Sequence, residues 1–195
     1  MTEPPLEFNL LRLRVARCAR CSDLDTTGWA FPPEYRERPI LFLGESPGAT
    51  EAKKHYPFVG PAGKLLRQLI DQAGLKQESL YITNIVKCFA ADKAILGFEH
   101  VWNCLELFQA ELALVRPRRI ICLGRFAWEG LGCGRYRGLL EDLRQRWQYT
   151  KFQSEAFDEL VPTAFMYHPA AALRHSNYLN ALVEDFQWLT NELRT

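Results

Sequence analysis

The chain has 195 residues, with 24 Lys and Arg against 23 Asp and Glu and a formal net charge of +1. Hydrophobic residues make up 48% and charged residues 24%, which excludes a disordered or collagen-like chain. The near-neutral balance also excludes a generally polycationic nucleic-acid coat, while leaving room for a local basic face. That length predicts one domain over residues 1–195, able to bury a core without disulfide staples. No apolar run approaches the roughly 20 residues that cross a bilayer, and Met1 to Glu7 is acidic and Pro-bearing, unlike a secretory leader. The expectation is a cytoplasmic protein, nucleoid-associated if prokaryotic, with reduced thiols and no membrane partner.

In chain order, Leu6 to Arg17 reads as a helix, with Phe8, Leu11 and Val15 at helical spacing and Arg12, Arg14, Arg17 and Arg20 nearby. A loop rich in Pro, Thr and Gly runs to Pro39. Ile40 to Leu43, wholly apolar and ending in Gly44, predicts a buried central strand opening into a loop. Ala62 to Ala73 carries Leu65, Leu66, Leu69 and Ile70 on one face and stops at Gly74, a helix. Leu80 to Val86 is a second strand, and 87–98 a long irregular loop. A helix from Glu99 is closed by Pro117, Arg119 to Gly124 is a third strand, and a short helix runs to Leu131. The stretch from Leu140 to Val161 is the least legible. Pro162 to Tyr167 predicts a last strand, and Asn177 to Arg194 a closing amphipathic helix. Alternating strands and helices predict a three-layer α/β/α sandwich around a mainly parallel four-stranded sheet. In such sheets the site lies beyond the carboxyl ends of the strands.

Four cysteines form a pattern: Cys18-x2-Cys21, then Cys88 and Cys104. Four thiolates suit either tetrahedral zinc or an iron–sulfur cluster, and spacing alone does not choose; on the residues alone zinc is the first reading. Cys122, in an apolar strand, and Cys133, between two glycines, read as structural. Gly60 to Leu65 invites a P-loop reading and fails it, because Phe58 stands where the first Walker glycine belongs and Leu65 where the magnesium-binding hydroxyl must be. Gly44-Glu45-Ser46-Pro47-Gly48 predicts a tight turn after a buried strand with Glu45 and Ser46 at its tip, either a ligand loop or an ordinary strand-to-helix turn.

Taken together, Gly44-Glu45-Ser46-Pro47-Gly48, Pro57-Phe58-Val59-Gly60-Pro61-Ala62-Gly63-Lys64-Leu65-Leu66, Tyr81-Ile82-Thr83-Asn84-Ile85-Val86-Lys87-Cys88 and His168-Pro169 resemble the family 4, iron–sulfur uracil-DNA glycosylases, over roughly residues 16 to 193. The resemblance implies a [4Fe–4S] cluster on Cys18, Cys21, Cys88 and Cys104, and moves the metal expectation from zinc to iron–sulfur. Departures are Ser46, where the family usually has Ala or Gly, and His55 in place of a Gly. Two others are Phe89-Ala90-Ala91-Asp92-Lys93 after the third cysteine, and Ala170 in place of Ser.

What the resemblance implies is excision of uracil from single- or double-stranded DNA by a monomer that flips the base out. Asn84 would read the pyrimidine edge against the Gly44 turn, Phe58 would stack on the ring, and His168 would stabilise the developing oxyanion. Glu45 and Ser46 would handle the attacking water. Leu173 would act as a wedge and Arg174 as a phosphate contact, with Arg12, Arg14, Arg17, Arg20, Arg135 and Arg137 as candidate backbone contacts. No motif places a lysine for a Schiff base, so the expectation is a monofunctional enzyme. The alternatives are a same-fold glycosylase for hypoxanthine or a mismatched base, and a non-catalytic iron–sulfur protein that binds damaged DNA.

Overall fold

A computed structural model describes residues 3–133, 137–151 and 158–194. Arg135 lies outside them, as does the side chain of Cys133. The strands are β1 (Ile40–Gly44), β2 (Leu80–Asn84), β3 (Arg119–Leu123), β4 (Gln148–Lys151) and β5 (Leu160–Met166). They form one sheet in the order β2-β1-β3-β5-β4. The first four are mutually parallel, and β4 pairs antiparallel to β5 at the edge. The helices are α1 (Leu6–Ala16), α2 (Ala49–Lys54), α3 (Pro61–Gln72), α4 (Phe98–Val115), α5 (Arg125–Trp128), α6 (Pro169–Ala172) and α7 (Ser176–Arg194). None among the described residues is long and apolar enough to cross a membrane.

The period-two alternation of the strands sorts two cores. Leu41 and Leu43 of β1, Tyr81 of β2 and Ile120 and Cys122 of β3 face one way, against Phe8, Leu11 and Val15 of α1 and Leu107, Phe108 and Leu112 of α4. Ile40, Phe42, Ile82, Ile121 and Leu123 face the other, against Leu66, Leu69 and Ile70 of α3 and Leu182, Phe186 and Leu189 of α7. Strands buried on both sides must be apolar at every position, which is why β1 was visible as an unbroken hydrophobic run. Cys122 is core, as expected.

The expected four-stranded sheet is corrected to five strands. In β4 only Thr150 is buried, because an edge strand needs to satisfy one partner and one face. Gln148-Tyr149-Thr150-Lys151 therefore carries no apolar run to announce it. Likewise α2 and α6 are short, with six and four residues. Neither is long enough to display a helical stripe.

The most consequential burial is polar. Lys87, 1% exposed, follows β2 and pairs with Glu111 of α4, 0% exposed. The Lys87 ammonium also donates to Thr83 Oγ1 at 2.9 Å and to the Asn84 carbonyl at 2.6 Å, so its three protons each find an acceptor. The other Glu111 oxygen accepts from the Tyr81 hydroxyl at 2.8 Å and the Thr83 hydroxyl at 2.9 Å. Desolvating a lone charge is far more costly than leaving a pair buried, so the network tolerates loss of both partners better than loss of one. Glu111→Ala should lose about 3–5 kcal/mol of stability, and Lys87→Met with Glu111→Leu should recover most of it. Unfolding midpoints of the two variants check this; equal losses would contradict it.

Candidate active site and thiol cluster

The carboxyl ends of β1, β2 and β5 open onto a cavity of about 390 Å³ lined by Glu45, Ser46, Phe58, Asn84, Lys93, His168 and Arg174, with Gly48, Glu51, Ala62, Ala170 and Ala171 completing its wall. Six of the eight residues assigned from the motifs to catalysis, substrate or DNA thus share one cavity; Gly44 and Leu173 stand outside its lining, as do the four cysteines. Gly44 is paired in register with Asn84. A Cβ on Gly44 would lie 2.4 Å from Asn84 Oδ1 and 2.5 Å from the Phe58 ring. Only a bare backbone there leaves both side chains in place.

Asn84 ends β2 and is 2% exposed. Its backbone carbonyl is held by Lys87, and its side-chain Oδ1 has no hydrogen-bond partner among the described residues. A buried amide acceptor left unpaired costs about 1–3 kcal/mol, so its persistence at a cavity wall points to a ligand that pays for it. Whichever way round the amide lies, it presents one donor and one acceptor.

Phe58 is buried, with its backbone in the left-handed region at φ +54°. Two contacts hold this strained turn. Gly60 N–H donates to Glu51 Oε1 at 2.6 Å, and Gly63 packs so closely that a Cβ would lie 1.8 Å from the Phe58 carbonyl oxygen. His55, also left-handed at φ +58°, stands where a glycine would be easiest; it stacks on Trp29 at 4.3 Å and bonds the Trp29 carbonyl through Nδ1 at 2.9 Å. The Phe58 and His168 rings are 5.8 Å apart, at 30°.

His168 caps α6. Its Nδ1 accepts the Ala170 N–H at 3.0 Å, so the ring proton resides on Nε2 and the imidazole is a donor on its other edge. Burial, with Lys93 and Arg174 adding like charge, lowers its pKa to about 4. The ring is therefore neutral at physiological pH. Glu45 is also perturbed: burial raises its carboxyl and the nearby Lys93 only partly opposes this. Lys93 Nζ donates to Ser46 Oγ and to the Pro47 carbonyl at 3.1 Å, and lies 3.8 Å from Glu45 Oε1. Leu173, following α6, is exposed beside Arg174.

Two residues of the cavity, Lys93 and Glu51, were not anticipated from the motifs. No motif places Lys93, which tertiary structure brings to the cavity: the 87–98 segment folds back over the β1 turn, and a 3₁₀ turn over Lys93–Ile95, capped by Asp92 Oδ1 on Ala94 N–H at 2.9 Å, aims Lys93 inward. Asp92 ahead of a short turn is the cap pattern that could have flagged it. Glu51 sits in a polar hexapeptide with no pattern to mark it as buried. None of Arg12, Arg14, Arg17, Arg20 and Arg137 lines the cavity, and Arg14 and Arg20 both pair with Glu106 of α4.

Cys18 and Cys21 leave α1, Cys88 follows β2, and Cys104 lies on α4. Cys21, Cys88 and Cys104 are buried in one core cluster, and the partly buried Cys18 packs against that cluster. A bridge between Asp25 and Phe89, with Ala30 N–H on the Lys87 carbonyl at 2.8 Å, draws the first pair to the second. All four are free thiols. Burial pushes the Cys88 thiol up to about 12, with smaller like-charge contributions from Cys104, Cys18, Cys21 and Asp25. Asn103 Nδ2 and Lys87 N–H each point at a sulfur, Cys21 and Cys104, at 3.5 Å. Burial raises the Cys21, Cys88 and Cys104 thiols, and a cationic centre on these sulfurs would favour their thiolates. Among the described residues no three ligating side chains are gathered tightly enough to hold a single ion.

The family model described as the uracil DNA glycosylase superfamily matches residues 32–190. The chain belongs to the uracil-DNA glycosylase superfamily. Among the curated proteins similar to it is the Type-4 uracil-DNA glycosylase of Archaeoglobus fulgidus, at 33% identity over 89% of this chain and 86% of that protein. The Type-4 enzyme of Sulfurisphaera tokodaii is 32% identical over 91% and 80% of the two chains, and that of Thermotoga maritima 30% over 89% and 88%. The superfamily match encloses the whole cavity and leaves Cys18 and Cys21 ahead of it.

As a glycosylase-fold protein with a neutral histidine at its site, it should show an Nε2–H imidazole for His168 that titrates near 4. The folded state then binds fewer protons than the unfolded chain between about 4 and 6.5, so this group's contribution to stability is full above that window and falls as pH drops through it. Nitrogen-15 NMR of the imidazoles reads both tautomer and titration. A midpoint near the ordinary 6.5 would overturn the assignment.

Proposed function

We propose that this chain hydrolyses the N-glycosidic bond of uracil in single- or double-stranded DNA, with a [4Fe–4S] cluster held by Cys18, Cys21, Cys88 and Cys104. The observation that carries the reading is the buried Asn84 side chain, its Oδ1 without a partner, in one cavity with Phe58 and His168. A target base is unreachable in the stack and must be extruded. Uracil then offers an O4 acceptor beside an N3–H donor, the complement of a carboxamide. Cytosine reverses both groups and would leave two like-polarity contacts, several kcal/mol worse at about 1–3 kcal/mol each.

Phe58 stacks on the extruded ring. As the glycosidic bond breaks, negative charge gathers on uracil O2, where the neutral His168 Nε2–H donates a fixed hydrogen bond that needs no proton transfer. Glu45 and Ser46, at the tip of the β1 turn, hold water against the oxocarbenium-like sugar. The exposed Leu173 suits a wedge into the vacated stack, and Arg174 a phosphate beside it. When bound, the cluster supplies four iron–thiolate bonds that cross-link the α1 exit, the segment after β2 and α4.

Release of free uracil from single- and double-stranded oligonucleotides tests the reading; lesion binding without base release would indicate the non-catalytic alternative. Gly48 lines the cavity without a side chain, so hypoxanthine and mismatched pyrimidines belong in the same panel. Asn84→Asp should lower uracil excision by about 10- to 100-fold, since one reversed hydrogen bond costs roughly 1–3 kcal/mol, and should gain cytosine release. Unchanged selectivity would remove Asn84 from its role. Iron and acid-labile sulfide, lost together in Cys104→Ser, test the cluster; zinc in their place would refute it.

A further inference from the structure

The cavity contains one nucleophile that base hydrolysis does not need. Lys93 reaches into it from the 87–98 segment, resting its amine on Ser46 Oγ and the Pro47 carbonyl and 3.8 Å from Glu45 Oε1. Glu45 and Ser46 are the groups that face the sugar's C1′ in the reading above. An amine seated on them stands over the same carbon.

We propose that Lys93 forms a Schiff base with the abasic sugar left after base loss and gives the protein an abasic-site lyase activity, a reading that rests on the glycosylase assignment for where the sugar lies. The neutral amine adds to the C1′ aldehyde of the ring-opened sugar, forming the N–C bond. The carbinolamine expels water to leave the iminium. Glu45 takes the C2′ proton, the freed electron pair forms the C2′–C3′ double bond, and the C3′–O bond breaks with its electrons on the departing phosphate. Water then hydrolyses the iminium, restoring the amine and releasing an unsaturated aldehyde. No oxidant or reductant is consumed.

Placement also favours the reactive form of the amine. Burial lowers the Lys93 pKa against the opposing pull of Glu45 and Glu51, so burial wins and the neutral amine is more available than on an exposed lysine. The nearby Glu45, its carboxyl raised by burial, is correspondingly a stronger base once ionised. Lys93 remains about half exposed, 47% for its side chain, so a sugar at the cavity mouth can reach it.

The test uses oligonucleotides carrying a preformed aldehydic abasic site, with a tetrahydrofuran analogue as the control that has no aldehyde, in the presence of cyanoborohydride. The whole protein should give a covalent DNA adduct on the aldehyde only, mapped by peptide mass to Lys93, and strand cleavage without alkali. Lys93→Met and Lys93→Arg should each lower trapping by at least about tenfold; the arginine keeps the charge but is not a nucleophile at accessible pH. Melting profiles matching the parent show that neither variant has merely unfolded. No adduct, an adduct on another amine, or undiminished trapping by Lys93→Arg would overturn the proposal. Free-uracil release from a uracil oligonucleotide, measured on the same preparation, separates the two readings. Release without trapping sinks the lyase alone, trapping without release upholds it and sinks the glycosylase, and neither sinks both.

Discussion

The buried ion pair between Lys87 and Glu111 is the constraint on which the site depends. It fastens the end of β2, where Asn84 stands, to the C-terminal half of α4, about two turns beyond Cys104. Because the ammonium binds the Asn84 carbonyl directly, the amide is fixed from its backbone and its side chain is left unspent. The next residue along is Cys88, and the Lys87 N–H points at Cys104. The Asn84 amide and the thiol cluster are therefore mounted on one hydrogen-bonded frame. An apolar pair could fill that volume with equal or better stability; it could not hold the strand end by three directed bonds.

Around that frame the cavity is built by exclusion. Gly44 withholds a side chain so that Asn84 and Phe58 can occupy its space, and Gly63 withholds one so that the Phe58 turn can close. Glu51 then takes the turn's Gly60 N–H. The left-handed backbone of Phe58 is unfavourable by itself, and it persists because the surrounding contacts over-determine it. Such a site is preorganised: the aromatic, the amide and the neutral imidazole are in position before any base arrives.

Much of this was legible because its signals are local. Central strands such as β1 must be apolar throughout, and the blocks at Gly44, Phe58, Asn84 and His168 lie at the strand ends where a parallel sheet places ligands. The cysteines were readable as a set because a Cys-x2-Cys turn and two further thiols make a recognisable ligand pattern. What escaped notice was information carried by one face or by tertiary context. β4 shows a single buried residue, α2 buries Glu51 without an apolar stripe, and Lys93 enters the cavity through the path of a loop. The arginines near Cys18 looked available from composition; Glu106, distant in sequence, engages Arg14 and Arg20.

His168 has a double duty that ties the reaction chamber to its rim. One ring nitrogen faces the cavity while the lone pair on the other anchors the first N–H of α6, the short helix leading to Leu173 and Arg174. Placing a second proton on that ring would set two donors against each other and withdraw the anchor. Acidification would leave the Nε2–H that faces the cavity in place and act instead on the anchor, loosening the lip that carries Leu173 and Arg174 while the chamber behind it keeps its donor.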